Sequence, residues 1–180
     1  MTTLNDLSAA AGEIKSLDES VLIHVDNKQF IDGLFQEVEG KHSKESMTSL
    51  RLLAESGSKM ATGFLIVIHA TVEKYKDLEK SRVCASSASD FLTHEAKLNE
   101  CRICLFILGV CCQMGIRWET DEQKAARLFS ESAKFDYPPG QTALGFCYER
   151  GIGVIPNKEK ALMLYKLAAD QEYIRYIVLY

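Results

Sequence analysis

The chain predicts an all-α fold, an α-solenoid of antiparallel helix-turn-helix repeats, and three observations carry that expectation. Lys124-Ala125-Ala126-Arg127-Leu128-Phe129 and Lys160-Ala161-Leu162-Met163-Leu164-Tyr165 are one phrase written twice, 36 residues apart. At the same offset, ten of the 36 positions from Leu108 to Ala143 are identical, where about two would match by composition alone. Among them, Leu108-Gly109 falls on Leu144-Gly145, Cys111 on Cys147 and Gly115-Ile116 on Gly151-Ile152. Self-similarity at such a period marks units that stack because none buries its apolar face alone. Finally, no run of alternating β-branched residues competes for strand.

Residues 1–26 are polar and weakly patterned and read as a flexible lead-in, leaving 27–180 as one repeat domain. Phe30, Ile31, Leu34, Phe35 and Val38 predict a short amphipathic helix closed at Gly40. Ser46 to Ser56 is the next helix, with Met47, Leu50, Leu53 and Ala54 on one face and Gly57-Ser58 as its break. A helix over roughly 59–80 turns Phe64, Leu65, Ile68 and Val72 inward. From Glu73 to Lys80 it becomes a charged, solvated extension. Cys84-Ala85-Ser86-Ser87-Ala88-Ser89-Asp90 has loop composition, with Ser89 or Asp90 placed to cap the next helix. Further helices are expected at 90–98, 100–114, 121–135, 139–150, 157–170 and 172–180. The units fall near 41–80, 81–116, 117–152 and 153–180, with a seven-residue insertion around 73–88.

With 47% apolar and 26% charged residues, the composition is that of a globular chain and argues against general disorder. A net charge of −4 and a pI near 5.6 give no support for nucleic-acid binding, which needs a clustered basic surface. Residues 1–20 lack the basic and apolar regions of a secretory signal. The apolar run from Met60 to Ala70 is too short to cross a bilayer. A cytoplasmic protein without membrane insertion is the expectation, its six cysteines reduced.

In the second copy, Leu144-Gly145 leads to Tyr148, Gly151-Ile152-Gly153-Val154, Lys160-Ala161, Leu164-Tyr165 and Ala168-Ala169. That succession resembles the Sel-1-like repeat family, relatives of the tetratricopeptide helical hairpins. The resemblance implies hairpins stacked in a right-handed superhelix, with the first helix of each unit lining a concave face. Gly145 and the alanines would let helices approach closely, while Gly151 and Gly153 would supply the positive φ a tight loop needs. The first copy departs from the pattern: Cys112 replaces the Tyr, Arg117 the second Gly and Trp118 the Val. Its loop is therefore expected to differ in shape. Asp136 and Glu172 stand where the family places a helix-ending Gly. Upstream, the stretch from Leu53 to Ala61 matches the Ala-Ala-x-x-Gly-x-x-x-Ala junction, 43 residues before a degenerate one near Ala96–Cys104.

Cys101-Arg102-Ile103-Cys104 with Cys111-Cys112 offers four thiols for zinc. On one helix, however, Cys101 and Cys112 would lie about 16 Å apart, too far for one tetrahedral site. Cys101, Cys104, Leu105, Leu108 and Cys112 share a face, so core packing is the favoured role. Cys111 and Cys147, on stacked helices about 8–10 Å apart, are beyond disulfide span. His24, His42, His69 and His94 have no partner at ligand spacing, and no phosphate-loop or nucleophile-elbow motif is present. No catalytic, cofactor-binding or metal residue is therefore assigned.

The chain is expected to be a non-enzymatic scaffold or adaptor binding other proteins or peptides. A cysteine-dependent hydrolase or a redox or metal-binding repeat protein is the alternative. Candidate contacts are Arg127, Ser130, Glu131 and Lys134 in one unit and Met163, Lys166 and Asp170 in the next, all opposite the apolar stripe. The apolar helix expected at 172–180 is a candidate surface for self-association.

Overall fold

The computed structural model describes residues 43–71 and 77–171. Over them run seven helices: α1 (Ser43–Glu55), α2 (Lys59–Thr71), α3 (Leu78–Leu98), α4 (Arg102–Met114), α5 (Glu122–Lys134), α6 (Pro138–Arg150) and α7 (Lys158–Asp170). No strand occurs among the described residues. The helix expected to close at Gly40, the lead-in over 1–26 and the segment 172–180 lie outside them.

The helices form a stack of hairpins. The pairs α2–α3, α4–α5 and α6–α7 pack most extensively, and α2, α4 and α6 also touch one another in series. These three make the inner row, and α4 shows why: from Ile103 to Cys112 every residue is buried. A helix that is apolar all round belongs between neighbours. The helices α3, α5 and α7 start alike. Asp77, Asp121 and Asn157 accept hydrogen bonds from the backbone N–H of Lys80 (3.0 Å), Lys124 (2.8 Å) and Lys160 (2.9 Å), satisfying donors that a helix start leaves free.

In the α4–α5 and α6–α7 hairpins, a glycine on the first helix receives an aromatic ring from the second. A Cβ at Gly109 would run into the Phe129 ring, and one at Gly145 would stand 2.7 Å from Tyr165. At the corresponding positions upstream the sizes are exchanged, Ile66 on α2 and Ala85 on α3, both fully buried. Ser81 sits where Ala125 and Ala161 sit in the later copies, and its hydroxyl donates to the Ile66 carbonyl at 2.8 Å.

The N-terminal half departs from the expectations drawn from sequence. The helix expected over 59–80 does not run through: it is described to Thr71, residues 72–76 lie outside the described residues, and a new helix starts at Leu78; the 84–90 stretch is no loop but the middle of α3. Its small residues Ser81, Ala85, Ala88 and Ser89 form, with Leu92 and Glu95, one buried stripe at helical spacing. Ser and Ala serve there as close-packing residues, which composition alone reads as a loop. The insertion also lies elsewhere. Counted from the N-caps, α3 has 21 residues where α5 and α7 have 13. The added two turns are Phe91–Leu98, at the C-terminal end of α3.

The loops repeat more faithfully than their residues. Gly57, Glu100 and Asp136 hold the same place between hairpins, with φ of 107°, 48° and 51°. After α4, Gly115 and Arg117 take φ of 64° and 71°; after α6, Gly151 and Gly153 take 75° and 65°. The bonds from Ile116 N to Cys111 O and from Ile152 N to Cys147 O match as well, at 2.9 and 3.0 Å. The difference in shape expected for the loop after α4 does not occur; instead Arg117 adopts the left-handed conformation of the glycine it replaces. Its guanidinium reaches α3, 3.4 Å from Ser86 O and 3.9 Å from Asp90 Oδ1, contacts that offset a strain of about 1 kcal/mol.

Burial pushes the Cys111 and Cys147 thiols up to about 12 from an ordinary 9.0. Both therefore keep their protons in the folded chain where the unfolded chain has lost them. Their contribution to stability is fully present below pH 9 and is lost as pH rises towards 12. Urea titrations at pH 7.5 and 10 should show the midpoint falling at the higher pH, and by less in a Cys147→Ala variant.

Candidate interaction groove

A groove of about 620 Å³ opens over α4 between α3 and α5. Its floor is Leu105, Leu108 and Cys112, the α4 positions spaced i, i+3, i+7, with Leu128 of α5 beside them. Burial raises the Cys112 thiol, so it lines the groove as a neutral group. Thr93, Ala96 and Lys97 form one wall, and all three lie in the two turns by which α3 exceeds its counterparts. Trp118 and Phe135 close the ends, 40% and 38% exposed. Trp118 occupies the Val154 place of the next unit, and the cations of Arg117 and Lys124 sit 5.8 and 5.7 Å from its ring centroid. Both departures from repeat regularity, the long α3 and the Trp, thus meet at one cleft.

The rim is charged. Lys97, Lys124 and Lys134 line it together with Glu100 and Glu131, leaving an excess of one positive charge beside an apolar floor. Ammonium groups beside a desolvated surface favour partners that carry carboxylates next to apolar side chains.

Arg127, Glu131 and Lys134 are exposed on α5, and Met163, Lys166 and Asp170 are exposed on α7; Ser130 is half-buried. Glu131 and Lys134 come together on the groove rim, while Arg127 and the α7 residues lie away from it. All seven stand on second helices of their hairpins, not on the first helices that the resemblance assigned to the concave face. The α7 surface is apolar in part, with Leu162 70% and Met163 64% exposed.

Near the N-terminus of α4, two cysteines come together. The helix begins at Arg102 and not at 100, which makes Cys101 its N-cap: Cys101 Sγ accepts from the Cys104 N–H at 3.5 Å. The neighbouring Cys104 thiol lowers the Cys101 pKa against the opposing effect of burial, while Cys104 is itself pushed far up. No group of three or more His, Cys, Asp or Glu side chains converges as a metal site among the described residues. Nor is any described helix long and apolar enough to cross a membrane.

The Sel1 repeat family model matches residues 103–134 and 138–173, the spans of α4–α5 and of α6–α7 with its continuation. The matched segments are these two hairpins. Among solved structures, the chain is similar to a Sel1 repeat protein from Oxalobacter formigenes, at 21% identity over 73% of this chain and 95% of that one, with a TM-score of 0.46. It is also similar to c5321, a protective antigen present in uropathogenic Escherichia coli strains and displaying an SLR fold. That likeness has 19% identity and a TM-score of 0.48, and spans 92% of this chain but 33% of the antigen. No curated protein sequence matches the chain. The family phasing makes α4 and α6 the first helices of the Sel1 units and α5 and α7 the second.

Proposed function

We propose that this chain is a non-enzymatic, cytoplasmic scaffold whose α3–α4–α5 groove binds a segment of another protein. The observation that carries the proposal is the coincidence of irregularities. A stack that only spaced other domains would gain nothing from two extra turns of α3 and a Trp in the next loop, yet both line the same apolar cleft. The occupant is a peptide segment with a bulky apolar residue flanked by Asp or Glu, the apolar residue on Leu105 and Leu108 and the carboxylates towards Lys97 and Lys134. Glu131 and Lys134 act from the rim, and Arg127 extends the surface along α5.

A photoreactive phenylalanine at position 135 should give a discrete adduct with that partner. The adduct should weaken about tenfold with Trp118→Ala or with Lys97→Glu plus Lys134→Glu, the loss expected when one anchor worth ~1.4 kcal/mol is removed. Lys166→Glu on α7 should leave it unchanged. Equal loss from Lys166→Glu would move the site away from the groove. A second copy of this chain is the competing occupant, favoured by the exposed apolar residues of α7 and by the 172–180 segment. Light scattering that finds a monomer at tens of micromolar removes it.

A further inference from the structure

We propose that Cys101 and Cys104 form a thiol–disulfide exchange pair, in which Cys101 attacks a low-molecular-weight disulfide and Cys104 resolves the product into an intrachain disulfide. The geometry is that of an attacking and a resolving thiol. Cys101 is at the N-cap of α4, with its sulfur on the Cys104 N–H and at the positive end of the helix dipole. It keeps 7% of its surface accessible, at the α3–α4 loop, whereas Cys104 has none. By the rise and radius of an α-helix, Cα atoms three residues apart stand about 5 Å from one another, within the Cα span of a disulfide, about 4.4–6.8 Å. The other described cysteines lack this arrangement: burial keeps Cys84, Cys111, Cys112 and Cys147 protonated. Two ionisable groups act on Cys101, the Cys104 thiol on its own helix and the buried Glu95 carboxylate of α3. The first favours the thiolate and outweighs the second.

The exchange balances without any other reactant. Cys101 thiolate attacks one sulfur of RSSR, forming the Cys101–SR bond and releasing RS⁻, which takes up a proton. Cys104 then attacks the Cys101 sulfur, breaking the bond to SR, and its proton passes to the departing second RS⁻. Two protein thiols are oxidised to one disulfide, and one RSSR is reduced to two RSH. Cysteine pairs that cycle in this way occur in reducing compartments as transient redox groups. This pair sits next to the groove, since Glu100 and Leu105 flank it in sequence and line that cleft.

Oxidised glutathione is the probe, and the intact chain is the reactant. Trypsin cuts after Lys97, Arg102 and Arg117, so a Cys101–Cys104 disulfide joins peptide 98–102 to peptide 103–117. The linked pair should be the main oxidised product of the folded wild-type chain. Cys104→Ala should instead retain glutathione on Cys101, and Cys101→Ala should lose both products. Alkylation of the reduced chain at pH 7 should label Cys101 at least about tenfold faster than Cys111, with a midpoint below the ordinary thiol value. That ratio should collapse in urea. Both of these readings use the wild-type chain, so they stand even where a variant fails to fold. The proposal is overturned by labelling of Cys101 no faster than of Cys111, by absence of the linked pair, or by its persistence in Cys104→Ala.

Discussion

Phe129→Ala is expected to cost about 3–5 kcal/mol, a large share of the roughly 5–15 kcal/mol that holds a domain folded. The ring is fully buried and lies over Gly109, with the Phe106 centroid 6.0 Å away. Its loss leaves a cavity at the centre of the α4–α5 hairpin, lined by an α4 surface that has no side chain at Gly109 to collapse into it. Urea denaturation of the intact chain reads the loss as a lowered midpoint at nearly constant slope. The upstream hairpin supplies a sharper control, because there Ile66 and Ala85 hold the same positions with the sizes exchanged. Adding Gly109→Ile to Phe129→Ala rebuilds that arrangement and should recover part of the stability. If the two losses merely add, the size-exchange account of this contact is wrong.

Gly153→Ala is expected to cost about 3 kcal/mol, from two sources acting together. At φ +65° an L side chain pays about 1–2 kcal/mol. The added Cβ would also collide with the backbone carbonyl of Glu122 at the start of α5, and a backbone atom cannot swing aside as a side chain can. The loop after α6 is therefore pressed against the preceding unit and locks one repeat to the next. Arg117→Ala at the corresponding place should cost under about 1 kcal/mol. Arg117 already accommodates a Cβ in the same backbone conformation, and only its contacts to α3 and to the exposed Trp118 ring are lost. Thermal melts of the two variants, compared directly, check the contrast, and equal shifts would contradict it.

The C-terminal half was legible because its repeat is undisturbed. The 36-residue offset placed α5 at 121–135 against an observed Glu122–Lys134, and α7 at 157–170 against Lys158–Asp170. Upstream, eight added residues shift the offset, and a Ser/Ala packing face has the composition of a loop. A signal was nonetheless present. Asp77-Leu78-Glu79-Lys80-Ser81 is a third copy of the phrase that begins α5 at Asp121 and α7 at Asn157, with Ser in place of Ala. The cysteines show how much one helix boundary can matter. Spacing identified them as packing residues, and Cys104, Cys111, Cys112 and Cys147 are buried accordingly. Cys101 is buried with them, and starting α4 at Arg102 rather than at 100 makes it a cap as well, its sulfur facing the helix N-terminus. The groove had no linear signature: Glu131 and Lys134 could be chosen as exposed residues of a helical face, but the wall opposite them depends on where α3 ends.

The proposed function stands or falls on whether the α3–α4–α5 groove, and not the apolar surface of α7, receives a protein segment. Peptides selected from a random display library on the intact chain, then titrated into chain with isotope-labelled leucine methyls, separate the two surfaces. The groove should yield peptides with an apolar residue beside Asp or Glu, and methyl shifts concentrated at Leu105, Leu108 and Leu128. Shifts at Leu162 and Leu167 with the three groove leucines unmoved would contradict it.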